Sequence, residues 1–473
     1  MNRQLKRALE RILDSDRVHW SKVERDLYSR DASDLVGRAE VVCFPVSTEE
    51  VAGIVAVCRD FSVPFVPRGS GTGLAGGAVP TEGAVVVSLS KMNRIISVDE
   101  VNRQAWVEPG VLNLDITRAV KEFGLYFAPD PSSQQSCSIG GNVANNSGGP
   151  HCLAEGVTTN HIIGLEVVLS SGEIVELNGE AAEARGFDLR GCFVGSEGMF
   201  GIATKICVRL SRNPVSIETM LLDFDTVQGG ADTVSAVIAF GIVPAAMEMM
   251  DQLCLRAVED FVHADLPIDS AAALLVEVSG GRYEVEYQSE EIRRIALAHG
   301  VKVIRVARNE AERTLLWKAR KNAFGAVSRI RPNYYLHDTV VPRSRLTEVL
   351  EQVYAIAAEN HLQVLNVFHA GDGNLHPLLM FDKREPGVME RVHRAGERIV
   401  EVSIDAGGVL SGEHGIGIEK RDLMHLMFSE ADLAAQAAVR GAFDPLGLAN
   451  PDKVLPSVSA CGDPVSIGDG VWI

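Results

Sequence analysis

The stretch Pro67-Arg68-Gly69-Ser70-Gly71-Thr72-Gly73-Leu74-Ala75-Gly76 decides the fold of the N-terminal half of this chain. Its positions 71–76 match the spacing G-x-G-x-x-G, which in a Rossmann fold must open a helix whose N-terminus faces a pyrophosphate. Here Pro80 follows and a β-run over 84–89 begins shortly afterwards, so there is no room for a helix. The sequence therefore excludes the Rossmann interpretation and predicts a strand–loop–strand turn.

The composition of this loop favours an anion-binding role. Five of the nine residues 69–77 are glycines, which allow the backbone to approach a ligand closely. Successive backbone amides in such a turn form a nest for an anion, and Arg68 adds a positive charge. A plain glycine-rich turn is the alternative interpretation.

A second stretch of small and amide residues runs from Ser138 to Gly149, SIGGNVANNSGG. Such residues suit a flat ring with polar edges lying against the backbone. A long surface loop explains the same letters, so the residues alone leave both interpretations open.

Charge and hydropathy exclude several classes of protein. The chain has 473 residues, with 45 Lys and Arg against 63 Asp and Glu, giving a net charge of -18. Nucleic acid and anionic lipid surfaces are poor partners for such a chain. No apolar run approaches the roughly 20 residues that span a bilayer, and residues 1–10 lack the apolar core of a signal peptide. We expect a cytoplasmic protein that reaches a membrane only through a partner.

The cysteines also restrict the chemistry. None of the eight stands in a C-x-x-C pair, so the sequence predicts neither an iron–sulfur cluster nor a structural zinc site. In an intracellular protein, scattered cysteines are usually small buried hydrophobic residues.

The chain length predicts two or three domains. A helical segment over 1–36 precedes short units, each a strand followed by a turn or helix, over 37–215. Longer helices alternate with strands over 216–405, which indicates a second, α+β domain with an antiparallel sheet. A loop-and-helix segment over 406–456 and a loose tail over 457–473 complete the chain.

Four motifs in a fixed order carry a resemblance to a known family. They are Pro67 to Gly73, Asp130-Pro131-Ser132-Ser133, Ile139-Gly140-Gly141-Asn142 and Gly195-Ser196-Glu197-Gly198. Together they resemble the FAD-binding domain of the vanillyl-alcohol-oxidase superfamily. The resemblance implies an α+β fold with a two-subdomain FAD-binding domain over 37–215, an α+β cap domain for the substrate, and a C-terminal segment returning to the FAD domain.

The resemblance also implies where FAD is held. The first loop would bind the pyrophosphate, the second stretch would lie beside the isoalloxazine, and Ile162 with Gly201-Ile202 would meet the adenine side. Some members link FAD covalently to a histidine of the first loop, and Thr72 stands at that position here, so we expect non-covalent FAD. The implied FAD-binding residues are Pro67, Arg68, Gly69, Ser70, Gly71, Thr72, Gly73, Leu74, Pro129, Asp130, Ser133, Ser138, Gly140, Gly141, Asn142, Asn145, Gly148, Gly149, Ile162, Glu197, Gly201 and Ile202.

Two glycine-flanked loops in the C-terminal half collect histidines and an acid. His369 and His376 stand seven apart in HAGDGNLHP, directly after the β-run 364–368, and Glu413-His414 stands in SGEHGIG. The glycines argue against a helix and favour a strand-end turn that brings both rings to one point. Such a set suits a divalent metal with open coordination positions. Ordinary core or surface histidines are the alternative.

This half of the chain resembles the FAD-linked 2-hydroxy-acid dehydrogenases, which include D-lactate and D-2-hydroxyglutarate enzymes and the flavin subunits of bacterial glycolate oxidases. The resemblance implies that His369, His376 and Glu413 bind the metal, with zinc favoured over manganese or iron, and that His414 is the general base. Arg320 would pair with the substrate carboxylate as a fork. Without the resemblance, Arg320 in its cation-rich helix would be interpreted as a solvated surface charge.

The implied reaction is oxidation of a small 2-hydroxy acid to the 2-oxo acid, with a metal assisting loss of the hydroxyl proton and FAD accepting the hydride. The hydroxyglutarate enzymes hold a second carboxylate with a threonine and a lysine, where this chain has Phe324 and Leu336. The stretches 317–335 and 443–451 resemble the glycolate oxidase flavin subunit. We therefore expect glycolate first and D-lactate second. A 2-hydroxy-dicarboxylate substrate, an assembly subunit that binds FAD and metal without activity, and a non-redox flavoprotein are the alternatives.

The fate of the electrons indicates partners. The chain has neither a nicotinamide site nor a cysteine cluster, so electrons must leave the flavin for another protein or a quinone-like acceptor. The resemblance implies an iron–sulfur subunit and a second flavin-domain-like subunit, and it is compatible with a homodimer.

Overall fold

A computed structural model describes residues 3–181 and 186–456. The predicted tail over 457–473 and Cys461 therefore lie outside the described residues. The described residues divide into two compact units: 3–148, 156–181, 186–213 and 413–456 form the first, and 149–155 with 214–412 form the second. Within the described ranges no helix has both the length and the apolar character needed to cross a membrane.

The helices and strands, in chain order, are as follows. The α-helices are α1 Arg3–Leu9, α2 Lys22–Leu27, α3 Thr48–Asp60, α4 Asn113–Val120, α5 Ile139–Asn145, α6 Cys152–Glu155, α7 Thr158–His161, α8 Leu189–Phe193, α9 Val227–Ala239, α10 Gln252–Val262, α11 Arg282–Ala298, α12 Glu310–Lys321, α13 Ala323–Val327, α14 Leu346–Glu359, α15 Val388–Asp405 and α16 Glu430–Phe443. The strands are β1 Val18–His19, β2 Ala39–Cys43, β3 Phe65–Arg68, β4 Ala84–Ser88, β5 Ile95–Asp99, β6 Gln104–Val107, β7 Leu125–Tyr126, β8 Ile162–Val168, β9 Ile174–Leu177, β10 Ile202–Arg209, β11 Ser211–Arg212, β12 Ser216–Phe224, β13 Ala246–Asp251, β14 Ala272–Gly280, β15 Val301–Val306, β16 Asn333–Leu336, β17 Thr339–Val340, β18 Gln363–His369, β19 Asn374–Leu375 and β20 Pro377–Phe381.

The first unit contains two main sheets. The smaller has the order β1-β2-β4-β3, and β4 runs parallel to both β2 and β3. The glycine loop joins β3 to β4 without a helix, as Pro80 predicts. The larger sheet has the order β5-β6-β10-β8-β9, and all its pairs are antiparallel. Helix α3 begins at Thr48, because the Ser47 hydroxyl accepts a hydrogen bond from the Glu50 amide and caps the first turn.

The second glycine-rich stretch is helical over Ile139–Asn145, so the alternative interpretation of a long surface loop does not hold there. Ser138 caps the helix by accepting from the Gly141 amide, and Asn146 ends it in the left-handed conformation. Ile139 and Val143 are buried in the core of the unit. This burial outweighs the low helix propensity of glycine and asparagine.

The second unit is built on one sheet, ordered β15-β12-β14-β13-β18-β19-β17, with β20 pairing β18 and β16. All its pairs are antiparallel, which confirms the predicted antiparallel sheet. One face packs against α9, α11, α14 and α15, and the other against α10, α12 and α13. Helix α12 is the element that matters for the site.

Candidate active site

Arg68 lies beneath the first glycine loop. Its side chain is only 8% exposed, and its Nη1 makes no hydrogen bond within the described residues. Gly71 has φ +72°, and a Cβ there would lie 2.0 Å from Arg68 Nη2. Burial lowers the pKa of Arg68, against the attraction of Asp31. A buried cation with an unused donor, next to the backbone of Gly71, fits an anion such as the pyrophosphate of FAD.

The loop meets the cap of helix α5. A Cβ at Gly69 would lie 2.1 Å from Ser138 Oγ, and one at Gly73 would lie 3.8 Å from Asn145 Nδ2. Deeper in the unit, the Asn113 side chain donates to Asn142 Oδ1 and to the Pro129 carbonyl, each at 3.0 Å. The first and second predicted stretches are thus brought together in one unit.

Glu197 joins this arrangement through hydrogen bonds with the backbone. Its amide donates to the Ala144 carbonyl at 2.8 Å. Its carboxylate accepts from the amides of Ile416 at 2.7 Å and Gly417 at 2.8 Å. Burial raises the pKa of Glu197 to about 7, although these two amides oppose the rise. Glu197 therefore anchors the segment that follows His414.

The same segment has a second anchor. Asn145 Nδ2 donates to the His414 carbonyl at 2.9 Å, so helix α5 holds the backbone of this histidine directly. Motif spacing could not reveal this link, because 269 positions separate the two residues.

Not all predicted FAD-binding residues are brought together. In the β8–β10 ladder, Ile202 pairs with Val168, whereas Ile162 pairs with Val208. Ile162 and Gly201-Ile202 therefore lie at opposite ends of the ladder, about 20 Å apart at the rise of a strand, and cannot both contact one small group. Gly149 belongs to the second unit. The other predicted positions lie in the first unit and are Pro67, Ser70, Thr72, Leu74, Asp130, Ser133, Gly140, Gly141 and Gly148.

The two predicted metal-binding histidines lie together in the second unit. Their ring centroids are 5.1 Å apart with an interplanar angle of 84°. His369 Nδ1 lies 2.8 Å from Glu248 Oε1, and His376 Nδ1 lies 3.4 Å from the His337 carbonyl. A histidine that donates through Nδ1 carries its lone pair on Nε2, which is the usual arrangement of a metal ligand and its supporting acceptor. The pair therefore fits a divalent metal.

A strand-end turn positions this pair, as the glycine spacing predicts. His369 ends β18 and pairs with Asn374 of β19. Gly373, at φ +75°, lies so close to Val341 that a Cβ would be 2.2 Å from its carbonyl oxygen. Only glycine fits this turn.

Arg320 is fully buried, which rules out the surface-charge interpretation. Its side chain is 1% exposed, and its Nη2 lies 2.5 Å from Glu248 Oε2. Its Nε and Nη1 make no hydrogen bond within the described residues. The same glutamate thus links Arg320 to His369, and the arginine retains donors for a carboxylate ligand.

Sequence reasoning missed two acids, Glu248 and Asp338. Asp338 accepts hydrogen bonds from Ser411 Oγ at 2.6 Å and from the Gly412 amide at 3.2 Å. It therefore fixes the two residues that immediately precede Glu413. The available signal for Glu248 was an acid inside the otherwise apolar run AMEMM of β13. Charged residues are rarely fully buried without a partner.

The two positions tied to substrate choice also lie in the second unit. The Phe324 ring is 6.3 Å from the His376 ring in an edge-on arrangement. Leu336 pairs with Leu378 in the β16–β20 ladder. Phe324 thus presents an apolar ring beside a proposed metal ligand.

Comparisons with known proteins match both halves of this chain to known families. The family of FAD binding domains matches residues 39–178, and the family of FAD linked oxidases, C-terminal domain, matches residues 213–454. The glycolate oxidase subunit GlcD of Escherichia coli K12 is 45% identical over 90% of this chain and 85% of its own length. GlcD of Bacillus subtilis is 39% identical over 96% and 97%, and a probable mitochondrial D-lactate dehydrogenase of Danio rerio is 31% identical over 95% and 92%.

Solved structures share the fold. A p-cresol methylhydroxylase has a TM-score of 0.80 at 17% identity over 96% of both chains. An alkyldihydroxyacetonephosphate synthase has a TM-score of 0.75 at 15% identity over 95% of this chain and 85% of its own. With both domain families matched in order and GlcD relatives aligned over most of its length, this chain belongs to the FAD-linked oxidase family.

Proposed function

We propose that this protein oxidises a small 2-hydroxy acid to the 2-oxo acid, with glycolate as the first candidate and D-lactate as the second. The observation that carries the proposal is the buried Arg320. Its Nε and Nη1 make no hydrogen bond to the part of the chain that the structure describes, while Glu248 links it to the His369 ring. A guanidinium in this state suits a carboxylate ligand beside a metal. The names of the relatives, glycolate oxidase subunit and D-lactate dehydrogenase, support the substrate class.

The residues divide the reaction between them. Arg320 binds the substrate carboxylate through Nε and Nη1, which orients the 2-carbon. His414 accepts the hydroxyl proton as general base. The hydride leaves the same carbon, so the acid loses one proton and one hydride and becomes the 2-oxo acid. FAD, when bound, supplies the hydride acceptor.

The proposed metal ligands are His369, His376 and Glu413. Glu413 directly follows Gly412, whose amide is held by Asp338, and Asp338 Oδ1 lies 3.9 Å from His376 Nδ1. A divalent ion in this set, zinc first and manganese or iron next, would lower the pKa of the substrate hydroxyl.

FAD is proposed to bind without a covalent link, because Thr72 has no nucleophilic ring to attach it. Acid precipitation of the purified protein should release all flavin into the supernatant. Yellow colour retained in the washed pellet would contradict this proposal. For reoxidation we propose an iron–sulfur subunit and a second flavin-domain-like subunit, in line with the word subunit in the names of the GlcD relatives.

The test is anaerobic reduction of the bound flavin by a panel of acids: glycolate, both lactates, malate and both 2-hydroxyglutarates. Bleaching by glycolate or D-lactate supports the proposal. Reduction by 2-hydroxyglutarate alone would contradict the role of Phe324 and Leu336. Full activity after complete removal of the metal would contradict the metal-assisted step but leave the hydride transfer intact.

A further inference from the structure

Two buried glutamates project from the same face of the large sheet in the second unit. Glu248 on β13 pairs with Leu275 of β14, and Ala246 pairs with Glu277. Residues two apart on a strand share a face, so Glu277 and Glu248 are diagonal neighbours, about 7–8 Å apart at the Cα atoms. Both side chains are fully buried.

Helix α12 supplies an arginine to each glutamate. Arg313 donates to Glu277 through Nε and Nη2, both at 2.9 Å, and Arg320 pairs with Glu248. Trp317, between them on the helix, donates to Glu277 at 2.6 Å. These positions fall on one side of a helix, so α12 covers the sheet with two parallel arginine–glutamate pairs.

Each pair also holds a histidine. Glu248 binds Nδ1 of His369 at 2.8 Å, and Glu277 binds Nε2 of His151 at 3.3 Å. The unit therefore contains two arrays of arginine, glutamate and histidine. The first belongs to the proposed active site, and the proposed mechanism does not use the second.

Glu277 does not depend on His151 for its own hydrogen bonds. It accepts from Thr219 at 2.5 Å, from Trp317 and twice from Arg313. Burial alone would raise the pKa of Glu277, but the hydrogen bonds from His151 and Arg313 hold it well below its ordinary value. Arg313 balances the charge of the carboxylate, so the carboxylate orients His151 rather than the reverse.

His151 is the accessible end of this array. Its side chain is 25% exposed, and its ring centroid lies 5.1 Å from that of Trp317. Trp317 precedes Arg320 by three residues, about 4.5 Å along the helix axis. Two residues after His151, Leu153 contacts the turn between the metal histidines so closely that a Cβ at Gly371 would lie 2.4 Å from its Cδ2.

We propose that His151 is a second substrate-binding residue, which donates a hydrogen bond to the carboxylate that Arg320 also holds. The inference rests on the proposed function and extends it. His151 is oriented by a buried carboxylate and lies against Trp317 on the helix of Arg320, close to the turn between the metal histidines. It is therefore positioned to share a small anion with the guanidinium. His151 would thus help the site to select a carboxylate over a neutral alcohol.

Stopped-flow reduction of the FAD-loaded protein by glycolate and D-lactate tests this role, because it separates the substrate Kd from the limiting rate. His151→Phe keeps the ring against Trp317 but removes the donor, and His151→Gln keeps a donor. For His151→Phe we expect Kd to rise about 10-fold, as for loss of one charge-assisted hydrogen bond, with a limiting rate within about threefold of wild type. His151→Gln should restore part of the affinity. His263→Asn, at an exposed left-handed position that asparagine tolerates, is the control and should leave both values unchanged.

An unchanged Kd in His151→Phe, or a fall in limiting rate alone, would overturn the inference. So would a Kd that rises equally in His151→Phe and His151→Gln together with a large fall in Tm, because this pattern marks a structural role. If neither acid reduces the wild-type flavin, the proposed function fails and this inference with it. If the acids reduce the wild-type flavin but neither variant changes Kd, the inference fails and the proposed function stands.

Discussion

Replacing Glu197 with glutamine should change how the stability of this protein depends on pH. The carboxylate is buried and accepts hydrogen bonds from the amides of Ile416 and Gly417. Glutamine has nearly the same shape but does not titrate, and it offers only one acceptor oxygen. The substitution therefore isolates the protonation of this one group.

The raised pKa of Glu197 determines whether its contribution to stability rises or falls with pH. Burial raises the pKa of Glu197 to about 7 in the folded protein, from an ordinary value of 4.5. The unfolded chain then releases this proton at lower pH than the folded one. The contribution of Glu197 to stability is present below about pH 4.5 and is lost as pH rises through about 7. The difference corresponds to about 3 kcal/mol.

Urea unfolding at a series of pH values, with FAD in fixed excess, measures the effect. The free energy of unfolding of wild type minus that of Glu197→Gln should fall by about 2.5 kcal/mol between pH 5 and pH 8. Glu122→Gln, on an exposed turn, is the control and should run parallel to wild type. Parallel curves for wild type and Glu197→Gln would refute the reasoning. They would show that the buried carboxylate is ionised throughout this range.

Three further predictions concern the site itself. His376→Ala should abolish metal binding and slow glycolate-dependent flavin reduction by at least about 100-fold while bound FAD remains, as metal analysis and stopped-flow absorbance will show; an unaffected rate would contradict the ligand assignment. Gly71→Ala should weaken FAD binding by about 10-fold or more, measured by flavin fluorescence. Gly83→Ala, with a similar positive φ but nothing within 4 Å, is the control and should bind FAD normally. Phe324→Thr combined with Leu336→Lys should raise kcat/KM for D-2-hydroxyglutarate relative to glycolate, and an unchanged ratio would remove these two positions from substrate selection.

Local chemistry explains what could be predicted about the fold. Pro80 excludes a helix after the glycine loop regardless of tertiary contacts. The β-run at 84–89 could be predicted from its own residue types, without reference to the rest of the chain. Helix α5 was missed because glycine and asparagine disfavour helices, and only burial of Ile139 and Val143 in the assembled core reverses that preference.

The site was predictable where its residues are close together in sequence. The spacing of His369 and His376 with glycines between them indicated a turn, and the turn is present. The apolar run around Glu248 marks that acid as unusual, but the roles of Glu248 and Asp338 were not predictable, because they arise from strand pairing and loop contacts between distant segments. The link from Asn145 to His414 is of the same kind.

The composition of the cation-rich helix α12 indicates a solvated Arg320, whereas the side chain is buried. A buried ion pair rarely adds net stability, because desolvating both charges offsets their attraction. Besides pairing with Arg320, Glu248 orients the His369 ring. Arg320 Nε and Nη1 are not used by this pair and can donate to a ligand. The same helix supplies a second arginine, Arg313, which pairs with Glu277, and Glu277 in turn holds His151. Stability alone gives little reason to bury two such pairs side by side, whereas the need to fix two imidazoles on one face accounts for both.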